Sequence, residues 1–410
     1  MKILVFNTGS SSLKYRLLEM PAERELAGGE AQRVGPATSK PSCILHRVNG
    51  ELNTHTLPLP DQAAAFEGIM DLLRRDAALI PDALGHRFVH GGERIEKHVL
   101  IDEEILAALD STAELAPIHN PPAINLIKTC HALYPGLPQV AVVDNAFHRT
   151  IPEHARTYAL PIALQRELGI RKYGFHGISH SYVAAEAARL MGMRLDKFNA
   201  VSCHLGTGGA SLCAIVGGKS VDNTMGASPL QGLVMSTRCG DIDPAIVMRL
   251  LWQHPGDIEA VETSLNRRSG ILGLSGVTAD LRDLLGVAPL DPQTAARFRM
   301  ARDTYVWRVR KYLGAYLTVV GRVDAIIFTD TIGELSPEIR GAVCDELNWF
   351  GVRIDAARNE NATTLPADIA ADDSSVRVFA IATNEELAIG RATYEVLTGQ
   401  AQDACCGGLP

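Results

Sequence analysis

The chain has 410 residues, of which 46% are apolar and 21% are charged. This length exceeds what one hydrophobic core usually organises, and the composition excludes a small disulfide-stapled scaffold and a disordered chain, so we expect two globular domains. The net charge of −8 argues against nucleic acid or an anionic membrane as the partner, and no stretch of the sequence suits a membrane-spanning helix.

The chain begins with a β-rich run, residues 2–6, rather than with a signal-type segment, which predicts a cytoplasmic protein. A small, glycine-containing turn and a second strand follow this run. The same hairpin pattern recurs over residues 199–216, and a third β-rich run, 324–329, precedes the turn DTIGE. A tight hairpin tip brings backbone N–H groups together, which suits phosphate oxygens. The recurrence of the hairpin predicts an internally duplicated α/β fold.

Helical and strand patterns occupy the chain between these hairpins. Because strands alternate with helices, we expect mixed or parallel sheets that helices cover. Two segments, residues 21–40 and 359–375, are predicted to be surface loops. The predicted helices are 61–77, 103–113, 123–133, 179–191, 243–253, 292–320 and 384–397, and the further predicted strands are 83–89, 139–143 and 377–381.

Polar groups follow several of the predicted strands in the first half of the chain. The turn NTGSSSLKY offers the Asn7 amide, three serine hydroxyls and Lys14, which suits a polyphosphate with its magnesium ion, although ordinary β-turns share this composition. Arg87 ends an apolar strand beside a Gly-Gly turn, where it makes either a surface ion pair or a fork for a carboxylate or phosphate. Asp144 follows another buried strand, at the edge where α/β sheets gather reactive groups.

Two histidines and a second arginine lie further along the chain. His176 and His180 in KYGFHGISH have the spacing of a zinc-binding pair, but no HExxH motif or third ligand accompanies them. We therefore favour an imidazole that lines an anion site. Arg238 lies in a turn before a helix, in MSTRCGDIDP, and the same two interpretations apply to it as to Arg87.

Together these motifs resemble those of the acetate kinases, in the short-chain carboxylate kinase family, from Met1 to about Leu397. The resemblance implies an α/β, duplicated RNase H-like fold of the actin, Hsp70 and sugar-kinase superfamily, with two domains, mixed sheets flanked by helices and an interdomain cleft. It assigns residues 1–148 and 386–410 to the first domain and 149–385 to the second, and it implies a homodimer. The matching segments are NTGSSSLK, HRFVHGGE, APIHNPPA, VDNAFHRTIP, YGFHGISH, VSCHLG through SVDNTMG, SPLQGLVMSTRCGDIDP, SGILGLSGVTADLRDL and TNEELAIGR.

The reaction implied by the resemblance is reversible, in-line transfer of the γ-phosphate of ATP to acetate, which gives acetyl phosphate and ADP. It requires Mg²⁺, with Mn²⁺ as an alternative, and propionate is a second substrate. The resemblance makes Asp144, Arg87, His176 and Arg238 catalytic, makes Asn7 and Glu385 metal ligands, and places the acid against Arg87, Val89, Ile118, His119 and Pro229. The nucleotide-binding residues it implies are Lys14, His204, Leu205, Gly206, Thr207, Gly208, Asp280, Leu281, Arg282, Thr331, Ile332, Gly333, Glu334 and Leu335.

The nucleotide side departs from the family pattern. HLGTGGAS has Thr207 in place of an asparagine and one additional glycine, and in DTIGEL Thr331 replaces a glycine and Leu335 an asparagine. Asp330 adds negative charge near the expected polyphosphate. Three outcomes are open: an ATP pocket that tolerates these changes, a different phosphoryl donor such as pyrophosphate or another nucleotide, or weakened catalysis. We favour ordinary or weakened use of ATP.

Other functions compete with this interpretation. A sugar or glycerol kinase needs an aspartate base and a polar sugar pocket, which the paired arginines and the apolar acid-binding residues oppose. A non-catalytic, actin-like ATP-binding protein would have no need of the four catalytic residues together. A kinase that prefers propionate, butyrate or a branched-chain acid stays open, because one methylene changes binding by only about 1–3 kcal/mol.

Overall fold

The computed structural model of the chain describes residues 1–9, 11–36, 38–117, 119–286 and 291–399. It contains two compact units: the first combines Met1–Phe147 with residues 384–399, and the second is His148–Thr383. The domain boundary expected from the sequence assigns Glu385 to the second domain, whereas the structure places it in the first unit.

The first unit is built on a mixed sheet. Its strands are β1 (Lys2–Thr8), β2 (Ser12–Glu19), β3 (Arg24–Gln32), β4 (Cys43–Val48), β5 (Glu51–Thr56), β6 (Ala83–Phe88), β7 (Val99–Leu100) and β8 (Gln139–Val143). Their order across the sheet is β5-β4-β3-β2-β1-β6-β8-β7. β1, β6 and β8 are parallel neighbours, and the other pairs are antiparallel.

The second unit repeats this plan. Its strands are β9 (Ala200–Leu205), β10 (Ala210–Val216), β11 (Lys219–Asn223), β12 (Ala325–Thr329), β13 (Ala367–Asp368) and β14 (Arg377–Ala380). Their order is β11-β10-β9-β12-β14-β13, in which β9, β12 and β14 are parallel. In the first sheet, β3-β2-β1-β6-β8-β7 follows the same succession of hairpin, parallel strands and antiparallel edge. The two sheets confirm the predicted α/β duplication.

Helices connect the strands of both units. In chain order they are α1 (Gln62–Leu73), α2 (Glu103–Asp110), α3 (Asn120–Leu133), α4 (Glu153–Arg156), α5 (Ile162–Leu168), α6 (Gly177–Leu190), α7 (Pro244–Gln253), α8 (Ile258–Arg267), α9 (Gly270–Ser275), α10 (Leu281–Gly286), α11 (Pro292–Val320), α12 (Asp330–Leu335), α13 (Pro337–Cys344), α14 (Ala356–Glu360) and α15 (Glu385–Thr398). Across the described ranges, no helix combines the length and the apolarity that crossing a membrane requires.

In the first unit, neighbouring residues of one strand face different helices, as the two-residue repeat of a strand requires. Leu84 of β6 packs with Phe66 of α1 in a buried cluster. On the opposite face, a Cβ at Gly85 would lie 2.4 Å from Thr393 Oγ1 of α15. A glycine is therefore needed for α15 to approach the sheet, and this docking brings Glu385, the first residue of α15, into the first unit.

In the second unit, the long amphipathic stretch predicted at 292–320 forms α11 with the same bounds. It packs against β9 and β10 with a stripe of apolar side chains that recur every three or four residues. The buried residues of this stripe are Phe298, Ala301, Tyr305, Val309, Leu313, Tyr316, Leu317 and Val320.

The expectation of surface loops at 21–40 and 359–375 is wrong in part. Residues 24–32 form β3, an interior strand between β2 and β4. Its sequence, RELAGGEAQ, gives a weak strand pattern because its buried residues are small. Gly29 is required there, since a Cβ would lie 1.8 Å from the Leu45 carbonyl oxygen of the neighbouring strand. Within 359–375, residues 367–368 form β13 at the edge of the second sheet.

Candidate active site

Three parallel strands of the first unit end beside one another and place polar side chains at one edge of its sheet. Asn7 and Arg87 are the penultimate residues of β1 and β6, and Asp144 directly follows β8. The carboxyl ends of these strands meet because the strands are parallel neighbours. Glu385 reaches the same edge from the first turn of α15.

Arg87 links the other three of these side chains. Its Nη2 donates to the Asp144 carboxylate at 2.9 Å, and its Nη1 donates to Asn7 Oδ1 at 3.3 Å and lies 3.5 Å from Glu385 Oε2. Asn7 Nδ2 donates to the same Glu385 oxygen at 3.1 Å. The Asp144 side chain is 1% exposed, whereas that of Arg87 is 20% exposed. A buried carboxylate therefore holds a guanidinium that stays partly accessible.

The charge on Arg87 is secured by its neighbours. Burial disfavours the charged form, but Glu385 and Asp144 outweigh burial and raise the pKa of the guanidinium above its ordinary value. In the part of the chain that the structure describes, Arg87 Nε is a buried donor without a hydrogen-bond partner. The guanidinium is therefore permanently charged and retains a donor that the protein does not use.

Asn7 and Glu385 fit the chemistry of a magnesium site. An amide oxygen and a carboxylate are the hard oxygen ligands that Mg²⁺ prefers, and this ion usually takes its other ligands from water and phosphate. Both side chains contact Arg87 in the structure, so a cation bound here must share them with the guanidinium. The described residues contain no group of three or more His, Cys, Asp or Glu side chains that could hold a metal ion.

The equivalent edge of the second sheet holds the remaining predicted catalytic groups. The loop between β9 and β10, residues 206–209, lies at this edge. A Cβ on Gly209 would lie 3.4 Å from His176 Nε2 and 3.6 Å from Arg238 Nη1. An imidazole and a guanidinium therefore converge on the backbone of a glycine-rich loop, which is an arrangement suited to a phosphate.

The turn that presents Arg238 is held by α9. Ile271 N donates to the Met235 carbonyl oxygen at 2.9 Å. Gly270 permits this contact, because its φ is +62° and a Cβ there would lie 2.1 Å from the same oxygen. Burial lowers the pKa of Arg238, but an arginine in a protein stays protonated. The loop therefore faces a fixed positive charge.

His204 is engaged at both ring nitrogens. Its Nε2 lies 2.9 Å from the Asp330 carboxylate, and its Nδ1 lies 2.9 Å from Ser179 Oγ. Burial raises the pKa of Asp330, but the hydrogen bond and charge of His204 outweigh it, with the Thr331 N–H and hydroxyl adding to them, so the pKa is well below its ordinary value. A Cβ on Gly206 would lie 2.4 Å from this carboxylate. A fixed negative charge therefore lies beside the loop.

The other residues predicted to contact nucleotide differ in accessibility. Leu205, Leu281 and Ile332 are buried, so their side chains cannot serve as contacts. At these three positions and at the buried Gly333, which has no side chain, only backbone groups could serve. Asp280 and Arg282 form an ion pair with each other, with 2.5 Å between Oδ2 and Nη2. The partly or fully exposed members of the set are Lys14, Gly206, Thr207, Gly208, Thr331, Glu334 and Leu335.

The residues predicted to hold the acid belong to both units. Val89 and His119 are half-buried in the first unit, and Pro229 is half-buried in the second. The Pro229 carbonyl oxygen accepts a hydrogen bond from Arg238 Nη1 at 3.3 Å. Ile118 lies outside the described residues.

Sequence reasoning missed several side chains that shape the second unit's site. Ser202 and Ser211 bond to the buried His180. Arg340, which is 1% exposed, donates to the carbonyl oxygens of Gly333 and Glu334 and so fixes the end of α12. No local pattern marks these residues as functional, because their partners are distant in the chain or are backbone atoms.

Comparisons with known proteins match nearly the whole chain. A family model described as the acetokinase family matches residues 2–391. An acetate kinase of Clostridium botulinum (strain Kyoto) is 45% identical over 402 residues, which cover 97% of this chain and 99% of that protein. The crystal structure of Porphyromonas gingivalis acetate kinase matches with a TM-score of 0.87 and 37% identity, over 97% of this chain and 99% of that chain. The structure of a propionate kinase from Francisella tularensis matches with a TM-score of 0.85 and 36% identity, over 95% and 98%.

Proposed function

The chain belongs to the acetokinase family, and we propose that it transfers the γ-phosphate of ATP reversibly to acetate, giving acetyl phosphate and ADP, with propionate as a second substrate. The observation that supports this most strongly is the Arg87 guanidinium, which two carboxylates keep charged while one fifth of the side chain stays exposed. A planar fork of this kind suits bidentate binding of a carboxylate. The chain is thus a phosphotransferase with a carboxyl group as acceptor.

In this proposal the first unit binds and orients the acid. Arg87 pairs with the acetate carboxylate, and Asp144 positions Arg87 through its 2.9 Å hydrogen bond. Acetate is already ionised near neutral pH, so its attack on phosphorus needs no general base. Val89 and His119 of this unit are the proposed contacts of the methyl group.

The second unit binds the transferring phosphoryl group. Phosphoryl transfer passes through a loose, metaphosphate-like state, in which charge on the equatorial oxygens must be met by positive or donating groups. Arg238 supplies a fixed charge and His176 supplies a hydrogen bond, and both side chains approach the backbone of Gly209. Each of these two side chains is expected to stabilise the transition state by roughly 2–4 kcal/mol, as preorganised hydrogen-bond donors do in other enzymes.

We propose Asn7 and Glu385 as the residues that hold Mg²⁺, or Mn²⁺ in its place. When bound there, the ion would supply positive charge that neutralises the phosphate oxygens of the nucleotide. Asn7 Oδ1 and the Glu385 carboxylate are both within 3.5 Å of Arg87 Nη1, so these oxygens lie beside the group proposed to bind the acid.

ATP remains the favoured donor despite the unusual loop. The Asp330 carboxylate repels any polyphosphate near the loop, and pyrophosphate is as strongly charged as the end of a nucleotide. This charge therefore predicts weaker binding of the donor rather than a switch from ATP to pyrophosphate. Thr207 and Gly208, which are proposed nucleotide contacts, remain accessible despite this repulsion.

We propose that the protein forms a homodimer through α7 and the start of α8. No residue of α7 is buried within its own chain. Its apolar side chains Ile246, Met248 and Trp252 are 48%, 52% and 76% exposed, and Ile258 of α8 is 71% exposed. A helix that buries none of its apolar side chains within its own chain favours an interface with another chain. Light scattering is expected to give twice the monomer mass, and Trp252→Glu is expected to reduce it to that of a monomer.

We also propose that the enzyme acts in the cytoplasm. Cysteines in the described ranges are free thiols, and five of them, Cys43, Cys130, Cys203, Cys213 and Cys344, are buried. A reducing compartment keeps such thiols free. Cell fractionation with an antibody against the chain tests this placement.

One experiment tests the proposed reaction. Acyl phosphate is trapped with hydroxylamine while acetate, propionate and butyrate are each combined with ATP, GTP and pyrophosphate in the presence of Mg²⁺. We expect product from acetate and ATP, less from propionate, and little with pyrophosphate. No product in any combination would refute the proposed function.

A further inference from the structure

A series of hydrogen bonds reaches His176 from the interior of the second unit. His176 Nδ1 lies 2.9 Å from Ser211 Oγ. The same hydroxyl lies 2.9 Å from His180 Nε2, and His180 Nδ1 lies 2.9 Å from Ser202 Oγ. Ser202, His180 and Ser211 are all fully buried. The imidazole proposed to contact phosphate therefore ends a continuous series that runs from β9 through α6 and β10.

Each member of the series has a limited number of protons. A hydroxyl has one, so Ser211 donates to one imidazole and accepts from the other. Burial, with the neighbouring His204 and His148, lowers the pKa of His180 well below its ordinary value, so this ring is neutral. A neutral imidazole donates at one nitrogen and accepts at the other. All the hydrogen bonds in the series must therefore point in the same direction.

Ser202 decides which direction that is. If the bonds pointed from His176 toward Ser202, then Ser202 Oγ would accept from His180 and its own proton would need another acceptor. Within the described residues, the bond to His180 is the only hydrogen bond that Ser202 Oγ makes. A buried hydroxyl whose proton has no acceptor is costly, so Ser202 donates to His180. It follows that His180 Nε2–H donates to Ser211, and that Ser211 donates to His176 Nδ1.

This direction fixes the tautomer of His176. Because Nδ1 accepts from Ser211, the proton of the neutral ring is on Nε2, the nitrogen that faces Gly209. We propose that Ser202, His180 and Ser211 are positioning residues that hold His176 as the Nε2–H tautomer, so that Nε2 donates to the transferring phosphoryl group. The inference rests on the proposed function of the site.

The opposite tautomer would harm the reaction. It would present the Nε2 lone pair to an anionic phosphoryl group and repel it. The charged and titratable groups near His176 include His180, His204, whose ring stacks on His176 with centroids 4.1 Å apart, and Arg238, and the Asp330 carboxylate lies 2.9 Å from His204 Nε2. No proton moves along the series, because acetate accepts none during the transfer.

The protonation state can be read directly by ¹⁵N NMR of histidine-labelled protein without substrate, at about pH 8, above the ordinary imidazole pKa. The spectrum of His176→Asn identifies the resonances of His176 by their absence. We expect Nε2 to be protonated and Nδ1 to be unprotonated. A protonated Nδ1, either in the other neutral tautomer or in an imidazolium, would overturn the inference. Because this measurement needs no turnover, it can fail while acyl phosphate is still formed, and the reverse also holds.

Variants test whether the serine hydroxyl sets the tautomer. Ser211→Ala is expected to shift His176 toward a mixture of tautomers and to lower kcat by about 10- to 100-fold with little change in KM, as for other residues that orient a functional imidazole. Ser211→Thr retains the hydroxyl and is expected to restore both. His180→Gln provides a second variant, because the Gln amide can still donate to Ser211. Ser220→Ala is the matched control: Ser220 is equally buried and bonds to His148 instead.

The results separate a positioning role from a merely structural one. Loss of kcat in Ser211→Ala together with the tautomer change supports the inference, as does an unchanged His176 spectrum in Ser220→Ala. A Ser211→Ala protein that keeps both the Nε2–H tautomer and its kcat would overturn it. So would a kcat loss in which the tautomer does not change.

Discussion

The Asp330 carboxylate lies 2.9 Å from His204 Nε2, beside the loop proposed to receive the phosphates of ATP. His204 holds this carboxylate in its charged form and thereby fixes a negative charge where an anionic substrate is expected. Asp330 has a φ of +61°, a left-handed conformation that aspartate and asparagine both tolerate better than most residues do. Asparagine can therefore replace it without a change in the backbone.

We expect Asp330→Asn to bind ATP more tightly. Removal of one charge from a water-accessible site is worth about 1 kcal/mol, so the KM for ATP should fall about fivefold while kcat changes little. Steady-state kinetics at fixed acetate measures this. The control is Asp372→Asn, which removes an exposed carboxylate that pairs with Arg358 on the surface. An unchanged or higher KM for ATP would show that Asp330 does not oppose the nucleotide.

Arg87→Ala is expected to lower kcat/KM for acetate by about 10²- to 10³-fold, because a charged, partly accessible donor to the reacting carboxylate is lost. Arg87→Lys should recover little of this, since an ammonium cannot match the planar fork. Arg94→Ala, which removes an exposed arginine from the loop that follows β6, is the control. Near-normal kinetics of Arg87→Ala would remove Arg87 from the catalytic residues.

Glu385→Gln is expected to raise the Mg²⁺ concentration for half-maximal activity at least tenfold, because a carboxylate ligand becomes a neutral amide. Saturating Mg²⁺ should restore part of kcat. Glu386→Gln is the matched control, since this neighbouring carboxylate faces Arg16, with its Oε2 3.7 Å from Nη2. Equal Mg²⁺ dependence in the two variants would contradict the assignment of Glu385.

Val89→Ala is expected to shift the preference from acetate toward propionate. The change removes two methyl groups from a half-buried side chain and so makes room for about one methylene of substrate. The ratio of kcat/KM for propionate to that for acetate should rise by about tenfold, which corresponds to about 1.4 kcal/mol. A constant ratio would place the methyl group of the substrate elsewhere.

His86 is expected to make the first unit sensitive to acid. It is 1% exposed, its Nε2 lies 2.8 Å from Gln139 Oε1, and burial lowers its pKa to about 4, against a smaller opposing effect of Gln139. The unfolded chain binds a proton at this histidine near pH 6.5, whereas the folded chain binds it only near pH 4. His86 therefore costs the folded state nothing above about pH 6.5, and the free energy of unfolding falls as the pH decreases below that value.

Between pH 7 and pH 5 the loss from His86 alone should be about 2 kcal/mol in the free energy of unfolding. Urea titrations at the two pH values measure it. His86→Gln keeps a donor toward Gln139 without the titration, and its urea midpoint should fall less than that of the original chain. His131→Gln changes an exposed histidine of α3, and its urea midpoint should fall as much as that of the original chain. Equal falls in all three proteins would exclude His86 as the cause.

Much of the fold follows from sequence periodicity. The bounds of α11 and β8 match the predictions, because a long amphipathic stripe and a short, fully apolar run leave little choice of structure. The prediction of a loop where β3 lies is wrong for the opposite reason. Its inward-facing residues are small, and its place inside the sheet depends on close approach of neighbouring strands, such as that at Gly29, which a local pattern does not record.

The site shows the same division. Asn7, Arg87 and Asp144 are predictable because parallel strands bring their carboxyl ends together, and each residue stands at such an end. The bond between His204 and Asp330 is not predictable, since the two residues are 126 positions apart and neither motif indicates the other as its partner. The serines proposed to orient the histidines cannot be predicted from the sequence either, because their partners come from a different element.

The reverse reaction gives the most direct test of phosphoryl transfer between a carboxylate and a nucleotide. Acetyl phosphate, ADP and Mg²⁺ are mixed with the protein and followed by ³¹P NMR, with Arg87→Ala as the comparison. We expect the ATP resonances to grow as acetyl phosphate disappears, and to grow far more slowly with the variant. Conversion of acetyl phosphate to inorganic phosphate without ATP, or equal ATP formation by both proteins, would contradict the assignment.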